Sequence, residues 1–259
     1  MANVIAEQQS GLDYPLMAGA GRIAGQSSVT AFGYSSNTGA VSNVNLWQPQ
    51  VVWAPAITPV GIEYSSTSAS DGVAGTGARK ILVIGVGPAF VQQIETVTMN
   101  GTTVVASIYT WIAINTMVVF DNATTGFGSA LGNVGDISAK VTGAGALHGF
   151  ITAGFGVSQH GRYTVPAGFT WLINNFFFLG NKSGGPVATY GLNAITVTST
   201  GLKIYGLPLT MQNGATLPIA LPNTPVPLAE KNTLMFQISA VSTTGMDISG
   251  GCTGILTAN

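Results

Sequence analysis

The chain has 259 residues, enough for one large all-β domain or two smaller ones. Only 7% of them are charged, against about 25% in an ordinary globular protein, and the mean hydropathy is +0.41. Such a chain either sits in a membrane or has much of its surface covered by neighbours.

The membrane alternative fails on continuity. The longest apolar stretches, 81–91 and 108–120, are broken by Gly85, Gly87 and Pro88 in the first and by Thr110, Asn115 and Thr116 in the second. A spanning helix needs roughly 20 uninterrupted apolar residues. The aromatics are scattered and form no girdles of the kind a transmembrane barrel carries. Eight basic against nine acidic residues leave a net charge of −1, so no basic patch awaits phosphates and no direct nucleic-acid binding is expected. The single cysteine, Cys252, excludes an intrachain disulfide and a cysteine metal cluster. The first fifteen residues lack a basic region followed by an apolar core, so no signal peptide is expected.

In chain order, residues 1–54 are rich in Gly, Ala, Ser and Asn and hold no apolar period. They are expected to form an extended arm laid over the body or over a neighbouring subunit, with residues 55–259 as the body. Residues 56–66 start a strand on Ile57, Val60, Ile62 and Tyr64, and a turn cluster follows at 67–77. A strand over 79–92 breaks at Gly85-Val86-Gly87-Pro88. Asn100-Gly101, between two runs of β-branched residues, predicts a two-residue hairpin turn with both central residues at positive φ.

Residues 107–120 predict a strand pair, and 136–142 alternate cleanly, with Ile137, Ala139 and Val141 on one face. The glycine-dense segment 143–161 is expected to be a loop and an internal junction of the body. Beyond it, 163–179 predict two short strands around a Pro-Ala-Gly turn, 196–207 a strand pair, and Asn213-Gly214 a second hairpin. Pro218, Pro222, Pro225 and Pro227 confine their segment to an edge or linker. Residues 232–242 and 246–257 close the chain as alternating strands. No amphipathic helix is visible, and strands at this spacing with such punctuation indicate an all-β antiparallel sandwich or jelly roll.

Few residues invite chemistry. The run Gly75 to Lys80 lacks Walker spacing and precedes a strand instead of a helix. Gly85-Val86-Gly87 is followed by Pro88 and has no βαβ context. His148 and His160, with Asp136 or Glu95, could in principle hold a metal, but two histidines twelve apart in a loop read more simply as loop residues. No G-x-S-x-G elbow accompanies them. Trp47, Trp53, Trp111 and Trp171 could stack on sugars or could anchor cores and interfaces. The sequons at Asn100, Asn122 and Asn181 matter only in a secreted eukaryotic protein. Phe176-Phe177-Phe178 puts aromatic rings on both faces of a strand, between layers or against another subunit. No catalytic, cofactor or metal residue is assigned, and the chain is not expected to be an enzyme.

The succession Ser65 to Asp71 (SSTSASD), Ala74 to Ala78 (AGTGA), a strand, and Glu95 to Thr102 (ETVTMNGT) resembles a group of tailed-bacteriophage virion proteins. Phe32-Gly33-Tyr34, Trp47, Gly132 to Ile137 (GNVGDI) and Tyr163 to Gly168 (YTVPAG) look like further landmarks of that group. The likeness covers about residues 30–170, and Gly85-Val86-Gly87 departs from the group's usual Gly-Leu-Asp. It implies a non-enzymatic, jelly-roll-like virion component made in the host cytoplasm and carried on the particle exterior. A capsid decoration or cement protein that forms a homotrimer and staples neighbouring major capsid subunits fits best. The alternative is a tail, baseplate or fibre-attachment protein with a receptor- or carbohydrate-binding role.

Overall fold

The computed structural model describes residues 17–18, 23–39, 43–122, 132–143, 145–182, 189–212, 216–220, 224–242 and 244–259. Seventeen strands build it: β1 (Gln26–Thr38), β2 (Val44–Asn45), β3 (Val60–Ser66), β4 (Ala78–Val86), β5 (Gln92–Thr98), β6 (Val105–Trp111), β7 (Ala113–Asn122), β8 (Ile137–Val141), β9 (Leu147–Ile151), β10 (Arg162–Thr164), β11 (Phe169–Lys182), β12 (Thr189–Val197), β13 (Lys203–Gln212), β14 (Thr216–Ala220), β15 (Val226–Leu228), β16 (Thr233–Val241) and β17 (Met246–Ala258). The named pairings are all antiparallel. The all-β antiparallel sandwich expected from the sequence is therefore what forms, and it forms twice.

The first sandwich is contiguous in sequence. Its sheets run β6-β3-β8-β9 and β5-β4-β7. Period-two alternation turns Ile62 and Tyr64, Ile81 and Val83, and Ile137 and Ala139 inward, where they meet Trp111 and Met117 in one buried core. The alternation expected over 136–142 is thus observed.

The second sandwich draws on both ends of the chain. One sheet runs β1-β17-β11-β14 with β15 also on β11, and the other runs β10-β16-β12-β13 with β2 on β16. Its core holds Trp171, Ile173, Phe176, Phe178, Phe236 and Ile248. Phe176 and Phe178 share the inward face, while Phe177, on the outer face, stacks on Phe32 at 6.1 Å between centroids. Strand β14 is an edge, with Pro218 opposite Phe177, as the missing N–H of that proline favours.

Several expectations need correction. The residues described within 1–54 lie against the body, one of the two placements expected, but are built into it instead of laid over it: β1 pairs with β17 from Gln26↔Thr257 to Thr38↔Met246, and Leu46 and Trp47 are fully buried. The apolar period was masked there because β1 alternates small side chains, Ala31, Gly33 and Ser35, on its inward face. Asn100-Gly101 does not join a hairpin. β5 pairs with β4 while β6 pairs with β3, so the connection crosses from one sheet to the other, and only Gly101 has positive φ (60°). In the same way β6 and β7, read as a pair, lie in different sheets. The segment 143–161 is not all loop, since β9 within it pairs with β8. Asn213-Gly214 lies outside the described residues.

Candidate functional site

Two polar constructions stand out, and both are buried. The first explains the residues that carry the sequence resemblance. Asp71 is fully buried at the rim of the first sandwich. Its Oδ2 accepts from Ser66 Oγ (2.6 Å) and Gly135 N (2.8 Å), and its Oδ1 accepts from Ala78 N and Val134 N (both 2.8 Å). Its own carbonyl accepts from Gly101 N (2.6 Å), and Gly101 O accepts from Ser66 N (2.9 Å).

The segments SSTSASD, AGTGA and GNVGD thus meet at the Asp71 carboxylate, and NGT meets the same residue at its backbone carbonyl. A Cβ on Gly77 would collide with Asp71 Oδ1, and Gly101 needs the left-handed backbone that glycine adopts without cost. Asn133 extends the knot: its Nδ2 donates to Gly135 O, Ile151 O and Thr152 O, and its Oδ1 accepts from Gly156 N. Glu95 plays a similar part in the middle of β5, accepting from Ser107 Oγ (2.5 Å) and Ile108 N (2.9 Å). These carboxylates spend their acceptor capacity on backbone and hydroxyl donors, which makes them structural ties.

The second construction joins the sandwiches. Arg162, at the start of β10, is buried, and its guanidinium lies over the Trp53 ring at 3.9 Å and the Trp47 ring at 4.6 Å. Its Nη2 donates to His148 O (2.6 Å). The His148 ring meets Trp53 edge-on at 5.9 Å, and His160 meets Trp47 at 5.6 Å. His160 Nε2 accepts from Phe150 N (2.9 Å). Arg162 Nε and Nη1 and both histidine Nδ1 atoms are buried without a hydrogen-bond partner.

Burial is the main cause that pulls the His148 pKa down to about 4, with the Arg162 charge adding to it. The same two causes, burial first, hold His160 well below its ordinary value. Burial also disfavours the charged form of Arg162, and the two indole faces supply part of what water would have given. Around this cluster Val86, Ile112 and Ala113 of the first sandwich pack with Ile195, Val197 and Met235 of the second. Asn115 on β7 exchanges two hydrogen bonds of 2.9 Å with the Thr164 backbone on β10.

The structure therefore brings the two histidines together around an arginine and two indoles. Asp136 accepts from Ala153 N and Glu95 from β6, both away from the imidazoles. Among the described residues no group of three His, Cys, Asp or Glu could hold a metal ion. All four tryptophans are buried, Trp53 being the most accessible at 3%, so no indole face is free to stack on a sugar. The Gly75 to Lys80 run is a turn feeding β4, which begins at Ala78. Arg162 went unnoticed in the sequence. The two indoles over which it lies are more than a hundred positions upstream, and no local spacing announces them.

No protein-family model matches the chain, and no curated protein matches it. Among solved structures it is similar to a protein of the T13 particle of infectious bursal disease virus, at 7% identity over 90% of this chain and 69% of that one, with a TM-score of 0.26. It is also similar to the VP2 subviral particle of that virus, at 9% identity over 90% of this chain and 72% of that one, with a TM-score of 0.20. Those particles are viral, but likenesses this low carry no argument about the role of this chain.

Proposed function

We propose that this chain is a structural component of a tailed-bacteriophage virion, a capsid decoration or cement protein that self-associates and staples neighbouring major capsid subunits. The observation that carries the reading is the Asp71 knot. The segments on which the resemblance to virion proteins rests converge on it, and the Asp71 carboxylate there is spent on backbone and hydroxyl donors. A surface with little ionised character supports the same reading: Ile57, Ile108, Val52 and Val91 are each more than half exposed, as expected of residues awaiting partners. Repetition lets modest contacts count, since even about 1,000 Å² of buried area per contact is multiplied around a shell.

Quantitative mass spectrometry of purified particles tests this. Copies in fixed proportion to the major capsid protein support it, a few copies per particle place the chain on the tail, and absence from particles overturns it. A receptor-binding role on the tail is the competing outcome, and with all four indoles buried it would have to use another surface.

A further inference from the structure

β1 is the outer strand of its sheet, with β17 on one side only. Its other edge is treated in two ways along its length. Over the C-terminal half the backbone is capped. Phe32 O accepts from Gly161 N (2.9 Å), Ser36 N donates to Gln48 Oε1 (2.8 Å), and Ser36 O accepts from Gln50 Nε2 (3.2 Å). These contacts also fix the parity. Phe32 and Ser36 turn their main-chain groups away from β17, so in a regular antiparallel ladder Ser28 and Thr30 do the same.

Towards the N-terminus Gln26 N donates to Ile23 O (3.2 Å), while among the described residues no hydrogen bond caps the main chain of Ser28 or Thr30, and both are exposed. The bare edge instead floors a cleft of about 510 Å³, walled by Ile84, Gln92 and Thr116 of the first sandwich and by Tyr163 and Phe169 of the second. Thr30 and Thr116 also line an adjoining cleft of about 320 Å³ that closes at His160. The run between the bonded Gln26 and Phe32, residues 27–31, offers about 13 Å of strand at ~3.3 Å per residue.

We infer that this cleft is a docking site in which the free edge of β1 pairs with an extended, uncharged segment of a second copy of this chain. The inference rests on the self-association in the function proposed above and gives that association its surface. An unpaired strand edge is a template for another strand, and the protein blunts this one on either side while leaving Ser28 and Thr30 open between two walls. The cleft selects by charge. Apart from His160 and Arg162, both engaged in the buried junction, its lining is uncharged, so a segment carrying an ionised side chain would bury it unpaired. A chain with 7% charged residues meets that requirement along most of its length.

Proline at Ser28 or Thr30 removes an N–H that faces the cleft and leaves the β17 ladder intact, a placement that edge strands tolerate. The test compares wild type with the S28P/T30P double variant by light scattering over a concentration series, together with backbone hydrogen exchange in the wild type. The expected result is concentration-dependent association in the wild type with slowed exchange at Ser28 and Thr30. The double variant should keep the wild-type melting temperature and need at least tenfold more protein to associate. If the variant misfolds, the wild-type exchange pattern decides.

Association with unchanged exchange at Ser28 and Thr30 would overturn the cleft while leaving self-association standing. A wild type that stays monomeric at every concentration would remove both. Protection that appears only on adding the major capsid protein would assign the cleft to that partner and overturn the second-copy occupant.

Discussion

The two sandwiches share an architecture and differ in how the chain closes them. The first takes its strands from one run, 60–151, and is tied at its rim by buried carboxylates. The second has to bring Gln26 beside Thr257 before its outer sheet exists, and its polar ties are few beside its aromatic core of Trp171, Phe176, Phe178 and Phe236. Loop-closure entropy and contact order both favour early formation of the first. Sequence-local construction thus goes with a polar tie that motifs reveal, and end-to-end construction with apolar packing that they do not.

The largest effect expected from this contrast comes from removing residues 1–50. The loss of β1 bares β17 and takes Leu46 and Trp47 from their cores. The second sandwich should lose its cooperative unfolding transition in calorimetry while the first retains its own. Asp71→Ala should act on the other side. It strands four donors, at about 1–3 kcal/mol each for a buried unsatisfied group, so a loss of at least about 4 kcal/mol is expected in urea unfolding, confined to the first sandwich. Phe178→Ala should cost the second about 3–5 kcal/mol by the same measurement.

Acid should strike the junction between them. His148 has a folded pKa depressed to about 4 from 6.5, so the unfolded chain takes up a proton that the folded chain refuses. Its stabilising contribution is complete above pH 6.5 and is lost as pH falls towards 4, on the order of 3 kcal/mol in all. His160, also depressed, acts in the same direction. Urea midpoints at pH 7 and pH 5 should differ accordingly. The smallest change is expected from Arg162→Met. Replacing a buried guanidinium that has no carboxylate by an apolar side chain should leave stability at pH 7 within about 1 kcal/mol or raise it. The same substitution should flatten the acid dependence, because one cause of the depressed histidine values goes with the charge.

The strands themselves were largely legible, because period-two alternation is a local property. β8 follows it closely, whereas β16 and β17, also expected to alternate, bury runs of consecutive residues because layers cover both of their faces. Their partners were not legible. Asn100-Gly101 has the composition of a hairpin turn, yet its backbone is recruited by Asp71 and Ser66, and β5 and β6 separate into opposite sheets. Glu95 left a usable trace: it falls on the same inward parity as Val97, where an acid must find donors. β1 could not be seen, since Ala31, Gly33 and Ser35 carry too little apolar surface to show a period. The Arg162 cluster was invisible because it joins indoles at 47 and 53 to side chains at 148–162.

Cys252 lies on β17 directly opposite Ala31 of β1 on one side and Phe176 of β11 on the other, fully buried, with its thiol pushed up by that burial. As the sole sulfhydryl it is a built-in clock for the seam between the chain's two ends. A thiol-reactive dye can reach it only when β1 peels away or the second sandwich opens. Labelling rates therefore time those openings one strand at a time, without any engineered probe.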